Sequence, residues 1–561
     1  MDNRRPAEGC GECGGQLVES FCYAMGRDAR AFACPACLTK PPRPRTADSL
    51  TATWPRPRAR VAAPPTPAAA LLLPRGGDRG HTCAAPREKL IRCHWPPPTK
   101  WRLQYKCDAS GCSARGYCDE LFAPNWPTCR CDAPRNAAMV HRYSTGPRAG
   151  ELFYWLFDSR RSPSSDPLLV WLNGGPGCSS EMGALFENGP YRVGAQGELE
   201  ANPGSWTNVA NVLYVDQPFG TGFSSTRDPR DYARGEATVA RDFVSFLGSF
   251  YNKFPEFSGR ALFISGESYG GHYVPAIAYA VLQEADPRMN LRGLAIGNGL
   301  VDPEIQYRAY PEFALQNGMI SSGLRDKIDL AMPECSRLIR KCNGDASKLA
   351  RDAHCLEAVA FCTAAVYEPI WGAFSAKLKG PMNAYDIRET CEHFPMCYDL
   401  APLERFLNRK DVKSALGVPA RRPWLTCSPV PYASLGVDAM ANLAVHIPEM
   451  LSRGLEVLVY AGEEDFICNW LGNYWWTQAL DWSGKPDYVA APFAPWTDGP
   501  GGATFGEAKQ AAGLTFVKVA KAGHMVPFNQ PRAALAMISA WLAGAPLVPA
   551  PPREGAGGYQ S

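Results

Sequence analysis

"ISGESYGG", residues 264–271, places a serine at the centre of Gly266-Glu267-Ser268-Tyr269-Gly270. Just before it, "ALFI" (261–264) is apolar and reads as a buried strand; just after it, "YVPAIAYAVLQEA" (273–285) has helical spacing. Strand, sharp turn and helix, with the serine in the turn, is the context a nucleophile elbow requires. Glycines on both sides let the chain turn tightly there. A short G-x-S-x-G pattern also arises by chance, so its meaning depends on partners. A serine hydroxyl needs a base to take its proton, and the base needs a carboxylate to fix its tautomer.

The chain has only eight histidines. His524 stands in "KAGHMVPFNQP" (521–531) and Asp465 in "YAGEEDFICNW" (460–470), each directly after a predicted strand. Ser268, Asp465, His524 is the chain order of α/β-hydrolases. Taken singly, each reads equally well as a turn serine, a surface acid or a structural histidine. Three at strand ends, in that order, read as a catalytic set.

The surrounding chain agrees. "PLLVWLNGG", "NVLYVDQPFGTG", "LRGLAIGNG", "LEVLVYAGEED" and "LTFVKVAKAGH" are short apolar runs that end in glycine-rich turns. They alternate with amphipathic stretches such as "ATVARDFVSFLGSFYNKF". This predicts an α/β-hydrolase fold: a mostly parallel central sheet with helices on both faces. From about 303 to 423 the rhythm breaks and six cysteines enter, which marks a disulfide-containing inserted cap. The expected organisation is an N-terminal extension over 1–135, the hydrolase domain over 136–545 and a disordered Pro/Gly-rich tail over 546–561.

Apolar residues make up 46% and charged residues 20% of the 561, ordinary for a globular protein with a sizeable core. The net charge of +3 hides a division, because residues 1–135 carry 21 Lys+Arg against 12 Asp+Glu and the remainder 37 against 43. The basic charges are scattered among prolines rather than set on one face, which argues against nucleic-acid binding. No apolar run is long enough to cross a bilayer as a helix. "MDNRRPAEGC" lacks the pattern of a signal peptide.

"WLNGGPGCSS", "DQPFGTGFS", "GESYGGHYVP", "AGEEDFICNW" and "GHMVPFNQP" together resemble the serine carboxypeptidases, the group of carboxypeptidase Y and cathepsin A. The resemblance runs from about Met139 to Ala545. It implies a serine-type carboxypeptidase acting on peptide or protein C-termini through an acyl-enzyme, with no cofactor and no metal in the hydrolase domain. It gives Ser268, Asp465 and His524 the catalytic roles, and the N–H groups of Gly175 and Tyr269 the oxyanion hole. It also implies that Trp171, Asn173, Glu187 and Glu267 bind the substrate's terminal carboxylate. Two neighbouring buried glutamates cannot both ionise cheaply, so one should stay protonated and donate to that carboxylate at acidic pH. That is why an acid stands beside the nucleophile.

By the same resemblance, Leu300, Tyr307, Tyr310, Ile467 and Cys468 line the pocket before the scissile bond. Phe186, Tyr385, Tyr398 and Met525 line the pocket for the leaving residue. Both sets are apolar or aromatic, which implies hydrophobic preference. Met182 and Ala439 stand at pocket positions where this chain departs from carboxypeptidase Y.

The family positions imply Cys178–Cys427, Cys335–Cys362, Cys342–Cys355 and Cys391–Cys397, with Cys468 free; spacing alone permits other pairings. Such bridges imply an oxidising compartment, lysosomal, vacuolar or secreted. The first 135 residues hold 12 of the 21 cysteines and leave three readings open. Cys10, Cys13, Cys34 and Cys37 have zinc-ribbon-like spacing. Residues 107–131 look like part of an epidermal-growth-factor-like disulfide module without its final cysteine. The third reading is a disordered or misjoined segment.

Two other functions fit the same framework: an acyltransferase or lyase using the same three residues, and a binding protein on a decayed hydrolase. Acyltransferase relatives usually carry Asp before the nucleophile, where this chain keeps Glu267. The intact Ser268, Asp465 and His524 argue against decay.

Overall fold

The computed structural model describes residues 148–548, apart from Asp345 and Pro500, and the backbone of short strands at 103–104, 117–118, 138–139 and 143–145 before them. The chain divides into two compact units, residues 1–119 and 120–561. In the first, Leu103–Gln104 pairs antiparallel with Tyr117–Cys118. Cys10, Cys13, Cys34 and Cys37 lie outside the described residues, as does most of 107–131.

The second unit is built on a ten-stranded sheet. Its strands are β1 (Ala138–Met139), β2 (Phe153–Phe157), β3 (Leu168–Leu172), β4 (Asn211–Val215), β5 (Ala261–Glu267), β6 (Asn290–Gly297), β7 (Glu456–Gly462), β8 (Ala494–Thr497), β9 (Thr504–Ala511) and β10 (Leu514–Val519). The spatial order is β8-β9-β10-β7-β6-β5-β3-β4-β2-β1. The six strands from β10 to β4 run parallel, and the two at each edge are antiparallel.

Strands buried on both faces need near-continuous apolar residues, and β2, β3 and, after Asn211, β4 supply them. Alternation then sorts the side chains by face. Tyr154, Leu156, Leu168, Val170, Leu172, Leu213 and Val215 join one core, with the helices α1 (Glu236–Lys253) and α2 (Gly270–Glu284). Phe153, Trp155, Phe157, Leu169, Trp171, Val212 and Tyr214 join the other. Each large side chain so buried is worth about 1.5–3 kcal/mol.

The inserted segment divides in two. Four helices, α3 (Pro303–Gln316), α4 (Ser322–Cys342), α5 (Lys348–Cys362) and α6 (Glu368–Leu378), bury their apolar faces on one another in a third core. Cys335–Cys362 and Cys342–Cys355 fasten α4 to α5. Asp302, Ser321 and Ser347 cap the first three of these helices by accepting from Ile305, Leu324 and Ala350 N–H. By contrast, Leu400, Leu403, Phe406, Leu407 and Trp424 pack into the second sheet face, so this part of the insertion belongs to the main body.

Cys391–Cys397 closes a short loop, and Cys178–Cys427 ties the loop after β3 to the end of the insertion across 249 residues. A bridge over so long a stretch restricts the unfolded chain strongly, by about 2–5 kcal/mol. Cys178→Ser with Cys427→Ser should therefore lower the unfolding free energy by that amount, read as a lower denaturation midpoint. An unchanged midpoint would contradict this.

Candidate active site

Parallel strands bring their carboxyl ends to one edge, and the register does so here. Gly266 of β5 is level with Leu172 of β3, Glu267 with Gly297 of β6, and Gly462 of β7 with Val519 of β10. The loops starting at residues 173, 268, 298, 463 and 520 thus leave one edge together.

Ser268 sits between β5 and α2 with φ 64°, a left-handed conformation costly for a residue with a side chain. Its N–H donates to Gly297 O at 3.1 Å, and its carbonyl accepts from Gly271 N at 2.9 Å and Leu300 N at 2.9 Å. A Cβ at Gly266 would lie 2.7 Å from Leu172 O, and one at Gly174 would lie 2.3 Å from Tyr269 N. The glycine-rich loop after β3 therefore presses on the backbone of the elbow, and only glycine fits. Gly175, with φ 106°, follows in that loop.

His524 is 2% exposed, and Asp465 is fully buried. Nδ1 of His524 and Oδ2 of Asp465 are 2.9 Å apart. The same carboxylate oxygen accepts from Asn298 Nδ2 at 2.8 Å. The Asn298 N–H donates to Tyr460 O at 2.8 Å, and the His524 N–H donates to Tyr385 O at 2.7 Å. Asn298 lies beside Gly297, which holds the Ser268 N–H, so the end of β6 anchors both the elbow and the acid. His272, in the first turn of α2, adds a further anchor: its Nδ1 lies 2.7 Å from Leu300 O.

The acidic cluster is continuous. Trp171 Nε1 donates to Asn173 Oδ1 at 2.7 Å, and Asn173 Nδ2 donates to Glu187 Oε1 at 3.0 Å. Glu187 and Glu267 are hydrogen-bonded to each other, and both are almost wholly buried. Burial, then the charge and hydrogen bond of Glu187, push the Glu267 carboxyl well above the usual range. Burial raises Glu187 too, opposed by its bonds to Glu267 and Asn173 and by the charges of His524 and Arg192. Of the two carboxyls, Glu267 is the more strongly raised. Oε2 of each glutamate lacks a donor among the protein groups, a deficit that a shared proton or a bound ligand would fill.

Two aromatic walls flank these groups. On one side Tyr307, Tyr310, Tyr367 and Phe466 pack edge to face or tilted, and Tyr310 Oη donates to Ile467 O at 2.6 Å. Cys468 is a buried free thiol, pushed up by burial and by the charges of Asp465 and Glu267. On the other side Phe186 stacks on Phe528 at 4.4 Å; Tyr398 contacts both rings and Tyr385, and Tyr385 packs against the His524 ring. Met525 is buried in the second core, as is Met182, whereas Ala439 packs against the first. Phe528, Asn298 and His272 are the neighbours that motif reading missed. All three lie within or beside quoted motifs, yet only their contacts give them meaning.

These observations define an α/β-hydrolase-like sheet with a strained serine, a buried His–Asp pair and a buried pair of raised carboxyls beside them. A model of the serine carboxypeptidase family matches residues 136–544, and the chain belongs to that family. It is a hydrolase of the exopeptidase class. It is 43% identical over 399 residues to serine carboxypeptidase 3 of Oryza sativa subsp. japonica, covering 70% of this chain and 76% of the relative. It is 41% identical over 401 residues to serine carboxypeptidase-like 48 of Arabidopsis thaliana, covering 71% and 76%. The crystal structure of Kex1(Δ)p, a prohormone-processing carboxypeptidase from Saccharomyces cerevisiae, aligns with TM-score 0.63 at 27% identity, covering 72% of this chain and 90% of that one.

Proposed function

We propose that this carboxypeptidase removes single C-terminal residues by attack of Ser268 on the last peptide carbonyl. His524 takes the hydroxyl proton and passes it to the departing amino group, and Asp465 holds His524 in the required tautomer. The N–H groups of Gly175 and Tyr269 face the developing oxyanion. Water then attacks the acyl-serine, giving its proton to His524; the ester bond breaks, His524 returns that proton to the Ser268 oxygen, and the shortened peptide leaves with a new carboxylate.

The observation that carries this reading is the buried Glu187–Glu267 pair, hydrogen-bonded and directly beside Ser268 in the chain. A protonated Glu267 donates to the substrate's terminal carboxylate; an ionised one repels it. Because its carboxyl is raised, that donor is present at acidic pH and lost as pH rises through the raised value. Peptide binding should weaken accordingly. The aromatic walls support a preference for hydrophobic residues on both sides of the scissile bond. The four disulfides support a lysosomal, vacuolar or secreted location. Among the described residues, no helix is long and apolar enough to cross a membrane.

Glu267→Gln keeps a donor at every pH. The KM for free-acid peptides should then rise less steeply from acidic to neutral pH than in the wild type, while substrates blocked as C-terminal amides or esters change little. An equal loss on blocked and free substrates would show instead that Glu267 supports the elbow. An unchanged pH profile would move the titrating acid to Glu187.

A further inference from the structure

A second pair of carboxyls lies under the loop that presses on the elbow. Glu181 and Asp216 are both fully buried and hydrogen-bonded to each other. Asp216, the residue after β4, accepts from Ser180 N at 3.0 Å and Phe223 N at 2.7 Å. Glu181 accepts from Ser179 Oγ at 2.5 Å, and Ser179 Oγ in turn accepts from Trp424 Nε1 at 2.9 Å. Burial raises both carboxyls, but at Asp216 the two N–H donors oppose it, which favours Glu181 as the donor of the pair. Glu181 Oε1 has no donor of its own.

The chain around this pair leads straight to the site. Ser180 gives its N–H to Asp216, donates its hydroxyl to Val215 O at 2.7 Å and accepts from Asn173 N at 3.2 Å. Between these fixed points run Gly174 and Gly175, and Cys178 N closes on Gly174 O at 3.0 Å. The charged side chains on neighbouring segments are otherwise engaged. Arg422 donates to Phe223 O and pairs with Glu151, and Glu404 accepts from Thr426 Oγ1.

We propose that Glu181 and Asp216 share one buried proton, and that this proton holds the Gly174–Gly175 loop in place, as a pH control separate from substrate-carboxylate recognition. Glu181 is a positioning residue; it touches no substrate. When the proton leaves, two buried charges face each other, and the Ser180 N–H clamp on Asp216 loosens the loop it serves. The effect on rate rests on the oxyanion role proposed for Gly175; the shared proton itself does not. Burial and the Asp216 charge hold Glu181 well above the usual carboxylate range, so the stabilisation is present at acidic pH and declines as pH rises through that raised value.

The test uses Glu181→Gln in the full chain, because a glutamine can donate to Asp216 but cannot titrate. Thermal unfolding is followed against pH, and kcat is measured on an ester with no terminal carboxylate. One proton held only by the native state changes the folding equilibrium constant about tenfold per pH unit in its window. The variant should lose that much slope relative to the wild type. Its ratio of kcat at alkaline to acidic pH should rise several-fold, with KM unmoved. An unchanged stability slope, or a variant that does not fold, overturns the shared proton. A flattened slope with an unchanged rate profile overturns its control of the reaction. Ser268→Ala tests the nucleophile separately and leaves the stability comparison untouched.

Discussion

Ser268→Ala should lower turnover of an N-blocked dipeptide by about 10⁶-fold, down to what binding and the proposed oxyanion donors alone sustain. In the proposed reaction the hydroxyl is the attacking group, so no other part of the site substitutes for it. The fold should persist. The elbow is held by main-chain bonds from Gly271, Leu300 and Gly297, none of which uses the side chain. Alanine meets the same left-handed backbone at φ 64° that serine already tolerates. Kinetics and a thermal melt on one preparation check both halves. Activity within tenfold of the wild type would mean that Ser268 is not the nucleophile.

Asp465→Asn is expected to cost about 10⁴-fold in kcat with little change in the melt. The amide can occupy the same space between Asn298 and His524. It cannot, however, supply the negative charge that, in the proposed reaction, stabilises the imidazolium formed when Ser268 gives up its proton. If its oxygen faces Asn298 Nδ2 and His524 Nδ1, the geometry at Oδ2 is kept and only the charge is lost. If its nitrogen faces them, His524 is forced into the wrong tautomer. Both outcomes lower kcat rather than raise KM. A loss confined to KM would assign Asp465 to substrate binding.

Much of the fold was legible because its signals are local. Apolar runs such as 168–172 and 212–215 are buried on both faces and so lack polar interruptions, and each ends in a turn that carries a candidate residue. Ser268, Asp465 and His524 could be picked out because a strand end was visible just before each of them. Asn298 could not. "GNG" reads as a turn, and nothing local shows that its amide reaches a carboxylate 167 residues away.

Glu181 and Asp216 were hidden for the same reason. Glu181 follows a quoted motif and Asp216 opens one, yet their shared hydrogen bond exists only once β3 and β4 lie side by side. The insertion was legible as an interruption but not as two parts. Its helices up to Leu378 bury one another, while Leu400–Leu407 buries against the sheet, and an apolar stripe does not name the surface it will meet.

In the proposed reaction one site combines a serine nucleophile with a titrating receptor for the peptide's terminal carboxylate. That combination is tested most directly by giving the chain an N-blocked dipeptide and its C-terminal amide over about pH 4 to about pH 8 and measuring KM and kcat for each. The expected result is release of the C-terminal residue from the free acid, with a KM that climbs as pH rises and a KM for the amide that stays level. The same climb for both substrates, or cleavage of the amide with none of the free acid, would contradict it.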